Sequence, residues 1–322
     1  MMNLINLKII CLYILPIVLL TSCNQPTNID EVRLNFSNEN VIILNLSLGF
    51  IMFGVALQLR VSNFIQVFKF PKSVLAGFLS QFLALPFFTF LLIQVLQPSP
   101  SIALGMILVA SCPGGNISNF MTSFAKGNTA LSVCMTAIAS ILAVFMTPLN
   151  LSIWGNLYKP TSEIINEISI DFFEMLEIIG VILILPLILG MLLRNYSPKV
   201  ADGLNKFMQI GSIVIFVGIV YFAFSANFDL FTKYIGAVLF IVLAHNSVGI
   251  LTGYSIAKLF NLPKEDKKTL AIETGIQNSG LGLGLIFTFF DGLGGMAIIA
   301  GWWGIWHIIS GLSIAYFFRK KW

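Results

Sequence analysis

Charge is what this sequence has least of. Only 10% of its 322 residues are Asp, Glu, Lys or Arg, where soluble domains carry roughly a quarter. So small a supply does not cover the surface of a soluble globule. Cysteine is scarce too. Cys11, Cys23, Cys112 and Cys134 lie mostly within apolar segments and form neither a disulfide framework nor a zinc spacing. Strand-period alternation is absent, which argues against a membrane barrel. No His-Glu-x-x-His or Gly-x-Ser-x-Gly occurs, and the two histidines have no partner motif. An intramembrane enzyme would need such a nucleophile–base pair or metal triad. The net charge of +4 is a topology signal and says nothing of nucleic acid.

What is abundant is apolar length. Hydrophobic residues make up 57% of the chain, the mean hydropathy is +0.92, and runs of about 20 apolar residues recur, the length that crosses a hydrocarbon core. The pattern predicts an all-α polytopic membrane protein. Ten spans are expected, at about 4–22, 41–59, 73–97, 100–125, 128–153, 170–194, 203–225, 233–260, 266–290 and 295–318. The longest connection, 154–169, with Pro160 and two glutamates, reads as an aqueous loop. Leu20-Thr21-Ser22-Cys23 resembles a lipobox, so residues 1–22 are either a first helix, the reading preferred here, or a lipoprotein-type signal. Residues 24–40 are an external linker in both cases. If the loop after the second span is cytoplasmic, 15 of the 18 basic residues lie inside and only Arg33, Lys159 and Lys233 outside. The positive-inside rule then predicts a cytoplasmic C-terminus. Short loops and the lack of an Arg- and Ser-rich transit segment point to a bacterial-type inner membrane. Oligomeric state is not legible.

Two of the expected spans are interrupted. Ser111-Cys112-Pro113-Gly114-Gly115-Asn116-Ile117-Ser118-Asn119 splits the span 100–125, and Glu273-Thr274-Gly275-Ile276-Gln277-Asn278-Ser279-Gly280 splits the span 266–290. Proline removes a helix hydrogen bond and glycine lowers the cost of leaving the helix. Unwound backbone survives in a membrane only where protein buries it or water reaches it. Each break falls in the middle of a triplet of spans, 73–153 and 233–318, and the two triplets start on opposite sides of the membrane. Paired broken helices in inverted repeats point to a secondary transporter with a midplane site. Residues 41–322 then form the transporter bundle. Its core helices span about 73–153 and 233–318, and a separate panel spans about 4–59 and 170–225.

Glu273 is the only acidic residue deep in a span. An isolated carboxylate there needs a partner, and no Lys or Arg sits at that depth. A bound cation or a proton fits, with a neutral, hydrogen-bonded glutamate as the alternative. Ser118, Asn119, Ser132, Thr136, Gln81 and Gln277 supply only oxygen-bearing side chains of the kinds that hard cations take. Each alone suits interhelical hydrogen bonding; as a set around one carboxylate they suit a cation. The half-helix N-termini near Asn116 and Asn278 favour an anion. His245 and His307 read as packed, hydrogen-bonded residues, and Trp302, Trp303 and Trp306 as packing or lipid-facing.

The stretches IMFGVALQL with VSNF, ILVASCPGGNISN, GNTALSV, LPLILG, LAHNSVG, KKTLAIETGIQNSGL and WHIISG resemble, in order, the bile acid:sodium symporter family, above all its ten-helix bacterial members. The resemblance covers about residues 48–318. It implies two inverted five-helix repeats, a core with two crossed discontinuous helices, a panel, and symport of an organic anion with two Na+ ions. One sodium site would use Ser118, Asn119, Ser132, Thr136 and Glu273. The other would use Gln81, Glu273, Gln277 and the carbonyls of Thr274 and Ile276. Substrate would lie near Asn116, Asn278 and His307, and Asn116 replaces a threonine common in the family. The cargo it implies is a small carboxylate, related to pantoate or 2-oxo acids, or a bile-acid-like anion. A proton-coupled or arsenite-exporting relative is the alternative, and a non-transporting scaffold would have no need of two breaks.

Overall fold

The computed structural model describes residues 29–34, 38–60, 64–65, 68–168, 171–225 and 228–321. The expected first span, with Cys11 and Cys23, lies outside them. The described chain is all-α. Its helices are α1 Asn38–Ala56, α2 Pro71–Leu96, α3 Pro100–Ser111, α4 Ile117–Phe124, α5 Thr129–Leu157, α6 Lys159–Ile168, α7 Phe172–Tyr196, α8 Pro198–Ser225, α9 Phe228–Leu259, α10 Lys264–Gly275, α11 Ser279–Phe289 and α12 Gly294–Lys321. Among the described residues there is no strand, only the isolated bridges Arg33–Leu293 and Gly114–Gln277.

Six helices are long and apolar enough to cross a membrane: α1, α2, α5, α7, α9 and α12. Two further expected spans are the interrupted ones. Each splits into a pair, α3/α4 and α10/α11, so no single helix there reaches spanning length. Large apolar side chains on α1, α2 and α7, among them Leu46, Leu91, Val181 and Ile188, face outward. Contiguous exposed apolar surface of this kind needs a non-aqueous neighbour.

The loop expected at 154–169 is, over its described residues 154–168, helical but for a bend at Tyr158. The α5 helix runs to Leu157 and α6 follows at Lys159–Ile168. Pro160 falls in the first turn of α6, where its missing N–H costs nothing. The Thr161 hydroxyl donates to the carbonyls of Gly155 at 2.6 Å and Tyr158 at 2.8 Å, closing the corner.

A second departure lies inside α2, where Ser80–Ala84 winds as a π-helix and the Leu85 N–H reaches back to the Ser80 carbonyl. Pro86 is the cause. It has no N–H for the Phe82 carbonyl, and its ring crowds that carbonyl. Asn150 of α5 fills the gap, its Nδ2 donating to Phe82 O at 3.0 Å.

The core is packed from α3, α11 and α12 together with faces of α2, α5, α7 and α9. All of α3 from Ser101 to Ser111 is buried, as expected of a helix that is apolar all round. By contrast, α10 is polar yet also buried, and its first turns are paid for by partners. Asp266 accepts from Ser73 Oγ at 2.5 Å and Asn128 Nδ2 at 2.8 Å, and Lys268 Nζ donates to Ala125 O at 3.1 Å. This network ties the start of α2, the α4–α5 turn and the start of α10 together.

Arg194, at the end of α7, is buried and does not simply add to a surface charge count. Its Nε donates to Leu57 O at 2.5 Å and its Nη1 pairs with Asp202 Oδ1 at 2.5 Å. Asp202 is 69% exposed, so the ion pair is screened and the carbonyl contact dominates. Arg194→Leu is expected to lower stability by about 1–3 kcal/mol, the cost of an orphaned buried acceptor. Asp202→Ala is expected to cost less than about 1 kcal/mol. Thermal unfolding in detergent distinguishes the two; equal losses would locate the stabilisation in the ion pair.

Candidate functional site

Both breaks begin where a helix can no longer satisfy its own carbonyls. In the first, α3 ends at Ser111 and Cys112 turns extended. In the second, α10 ends at Gly275 and Ile276 turns extended. Glu273 therefore sits in the last turn of a helix, while Gln277 lies in the break itself.

The two breaks meet and satisfy each other. Gly115 N–H donates to Ile276 O at 2.7 Å, and Asn278 N–H donates to Pro113 O at 2.9 Å. The approach leaves little room for a side chain. A Cβ on Gly114 would stand 3.0 Å from Glu273 Oε2, and one on Gly115 would stand 3.1 Å from Gln277 O. Side chains from other helices take the remaining freed carbonyls. Thr147 Oγ1 donates to Ser111 O at 2.8 Å, Gln81 Nε2 to Cys112 O at 2.9 Å, and Asn246 Nδ2 to Gly275 O at 2.7 Å. Gln277 Nε2 closes the account on Thr274 O at 2.7 Å. Buried unwound backbone is thus paired at each of these positions, as a low-dielectric interior demands.

Glu273 projects into this junction and is buried. Its Oε1 accepts from Ser118 Oγ at 2.6 Å, from Ser132 Oγ, and from Thr136 Oγ1 at 3.3 Å; Thr136 Oγ1 also lies 3.2 Å from Oε2. Ser132 and Thr136 are one turn apart on α5, so both hydroxyls leave the same face. Asn119 joins through its Oδ1, 3.4 Å from Thr136 Oγ1. The five residues Ser118, Asn119, Ser132, Thr136 and Glu273 therefore form one cluster drawn from α4, α5 and α10. Each hydroxyl has a single proton and two lone pairs. Rotating the proton away exposes oxygen to a cation without moving a helix.

A second cluster lies across the break. Gln81, in the π-turn of α2, donates through Nε2 to Gln277 Oε1 at 2.7 Å. Ser80 Oγ bonds Thr274 Oγ1. Gln81, Thr274, Ile276 and Gln277 are brought together here, with the Thr274 and Ile276 carbonyls engaged by Gln277 and Gly115. A π-turn often marks a functional position in a helix, and this one aims Gln81 at the second break.

Asn116, Asn278 and His307 are arranged differently. Asn116 is the N-cap residue of α4 and makes no side-chain cap bond. Asn278 caps α11, its Oδ1 accepting from Leu281 N at 3.0 Å. His307 is buried on α12, and among the described residues its Nδ1 has no hydrogen-bond partner. Among the described residues no hydrogen bond links these three to one another. His245 is packed as its sequence context suggests, with Nε2 2.8 Å from Thr89 Oγ1 and its ring edge-on to Trp303. Among the described residues no group of His, Cys, Asp and Glu could hold a transition metal.

Ser80, Thr147, Asn150 and Asn246 escaped the sequence reading. All four are polar side chains in largely apolar helices; Thr147, Asn150 and Asn246 reach a backbone carbonyl on another helix, and Ser80 reaches the Thr274 hydroxyl.

Comparison with known proteins follows the same lines. A sequence profile described as the Sodium Bile acid symporter family matches residues 45–234. The chain is 33% identical over 278 residues to the "Uncharacterized sodium-dependent transporter YocS" of Bacillus subtilis, covering 86% of this chain and 83% of that protein. It is 32% identical over 260 residues to the "Probable sodium/metabolite cotransporter BASS1, chloroplastic" of Arabidopsis thaliana, and 27% identical over 268 residues to the "P3 protein" of Homo sapiens. These alignments cover 80% and 82% of this chain, but only 61% and 54% of those two longer relatives.

Proposed function

Given that the chain belongs to the sodium bile acid symporter family, we propose that it is a secondary active transporter that moves an organic anion by sodium-coupled symport and alternating access. It is a multi-pass membrane protein of a transporter family, not an enzyme. The observation that carries the reading is the convergence of three hydroxyls on one oxygen of Glu273 where the two helix breaks meet.

In this reading Ser118, Asn119, Ser132, Thr136 and Glu273 hold one Na+. Gln81, Glu273, Gln277 and the carbonyls of Thr274 and Ile276 hold the second. Sodium takes oxygen ligands, and both clusters offer oxygen. The charge balance supports two ions. One carboxylate on the protein and one on the cargo are neutralised by two Na+, so the loaded centre carries no net charge into the low-dielectric interior. Substrate sits by Asn116, Asn278 and His307, against the N-termini of α4 and α11, whose positive dipole ends favour an anion. The cargo is a small carboxylate or a bile-acid-like anion.

The interrupted pairs α3/α4 and α10/α11 act as corresponding members of inverted repeats within a ten-helix bundle, in a core of about residues 73–153 and 233–318. A panel, about 4–59 and 170–225, frames it. The uneven distribution of basic residues supports a cytoplasmic C-terminus, in a cell (inner) membrane.

The test is uptake of labelled small carboxylates into proteoliposomes. An inward sodium gradient is expected to drive accumulation, and replacing sodium by choline to abolish it. Uptake driven equally by a proton gradient without sodium would replace sodium with protons as the coupling ion. Uptake indifferent to either cation would overturn coupled transport.

A further inference from the structure

Asn246 lies on α9, outside both oxygen clusters, and is 1% exposed. Its Nδ2 donates to Gly275 O at 2.7 Å. In an unbroken helix that carbonyl would accept from the Ser279 N–H, but Ser279 N–H turns to Gln277 O at 3.0 Å instead. The carbonyl of Gly275 is therefore free of its own helix and held by a neighbour.

That peptide plane leads directly into Ile276. Its tilt sets ψ of Gly275 and φ of Ile276, and through them the direction of the Ile276 carbonyl. Gly275 has no side chain to limit the tilt. Asn246 is the side chain that does.

The rest of the α9 face is built for this approach. A Cβ on Gly249 would stand 3.0 Å from Thr274 O and 3.3 Å from Gly275 Cα. Asn246 and Gly249 share one side of α9, three residues apart. The helix thus lies against the backbone of the break, with a single amide donor where the carbonyl is free.

We infer that Asn246 is a positioning residue for cation binding: by fixing the Gly275 peptide it aims the Ile276 carbonyl at the second ion. The inference rests on the sodium reading above. Partners that orient ligands from behind commonly change metal affinity by ten- to a hundredfold when removed.

The test is sodium binding, read as thermal stability of the purified protein titrated with sodium chloride against choline chloride at constant ionic strength, with no substrate present. Asn246→Leu keeps the volume and removes the donor; Asn246→Ala serves if the leucine variant does not fold. The sodium midpoint is expected to rise about tenfold, and the Hill coefficient to fall toward one as the second ion is lost. A merely structural role would lower the melting temperature in choline and sodium alike and leave the midpoint unchanged, and that result would overturn the inference. Wild type is the discriminating arm. A sodium-specific rise in wild type with an unchanged midpoint in the variant sinks only the role of Asn246. No sodium-specific rise in wild type sinks the sodium reading and this inference with it. Asn246→Gln, which retains a donor, is expected to recover part of the affinity.

Discussion

Replacing Glu273 by alanine is expected to erase the sodium-specific gain in thermal stability. Sodium at ten times its dissociation constant stabilises the folded state by about 1.4 kcal/mol for each independent site. Glu273 serves both proposed ions, so about 3 kcal/mol should vanish together. The reason is electrostatic. Three hydroxyls and an amide oxygen solvate a cation, but only a carboxylate neutralises it, and no second acidic side chain lies at that depth. Alanine also strips the acceptor from Ser118, Ser132 and Thr136, so the variant starts from a lower melting temperature in choline. The relevant quantity is therefore the difference between sodium and choline within each variant. Glu273→Gln keeps the size and loses the charge, and it too should lose the sodium response. A full sodium response in either variant would move the ions away from this junction.

Gly253→Ala is expected to be the most damaging one-methyl change in the bundle, lowering stability by about 3 kcal/mol, the upper end for overpacking. A Cβ there would collide with the Leu270 carbonyl and stand 2.9 Å from Ala271 Cα. These are backbone atoms, so no rotamer change relieves the clash, and α10 must move as a unit. Since α10 carries Glu273, the sodium midpoint should worsen along with the melting temperature. Gly218→Ala is the control. Among the described residues nothing lies within 4 Å of a Cβ on Gly218, and alanine in a helix is favoured over glycine by about 0.5–1 kcal/mol. Chemical or thermal unfolding of the pair should therefore show opposite signs. A mild effect at Gly253 would mean that α9 and α10 pack less closely than these distances give.

Much of the site was legible because its causes are local. Pro113-Gly114-Gly115 stops a helix wherever it stands. The isolation of Glu273 is visible in any apolar run, and the four-residue spacing of Ser132 and Thr136 needs only a helix to bring both hydroxyls to one face. The misreadings were local too, but required choosing between two roles for proline. Pro160 reads as a loop former and instead sits in the first turn of α6. Pro86 gave no alarm, yet it accounts for the π-turn that carries Gln81. The helical pattern around it was apolar enough to pass as continuous.

Composition and spacing by themselves determined the all-α membrane class, the two places where helices break, and the one carboxylate that needs a partner. They could do so because losing a backbone hydrogen bond at proline or glycine, and burying a charge in hydrocarbon, are penalties carried by a few neighbouring residues. Only the tertiary structure decided who repairs each loss. Ser111 O is satisfied by Thr147, 36 residues on. Gln81 meets Gln277 across 196 residues, and Gly275 O meets Asn246 on a different helix. A freed carbonyl accepts any donor of suitable reach, so its partner is chosen by how the helices pack and not by the stretch of chain that freed it.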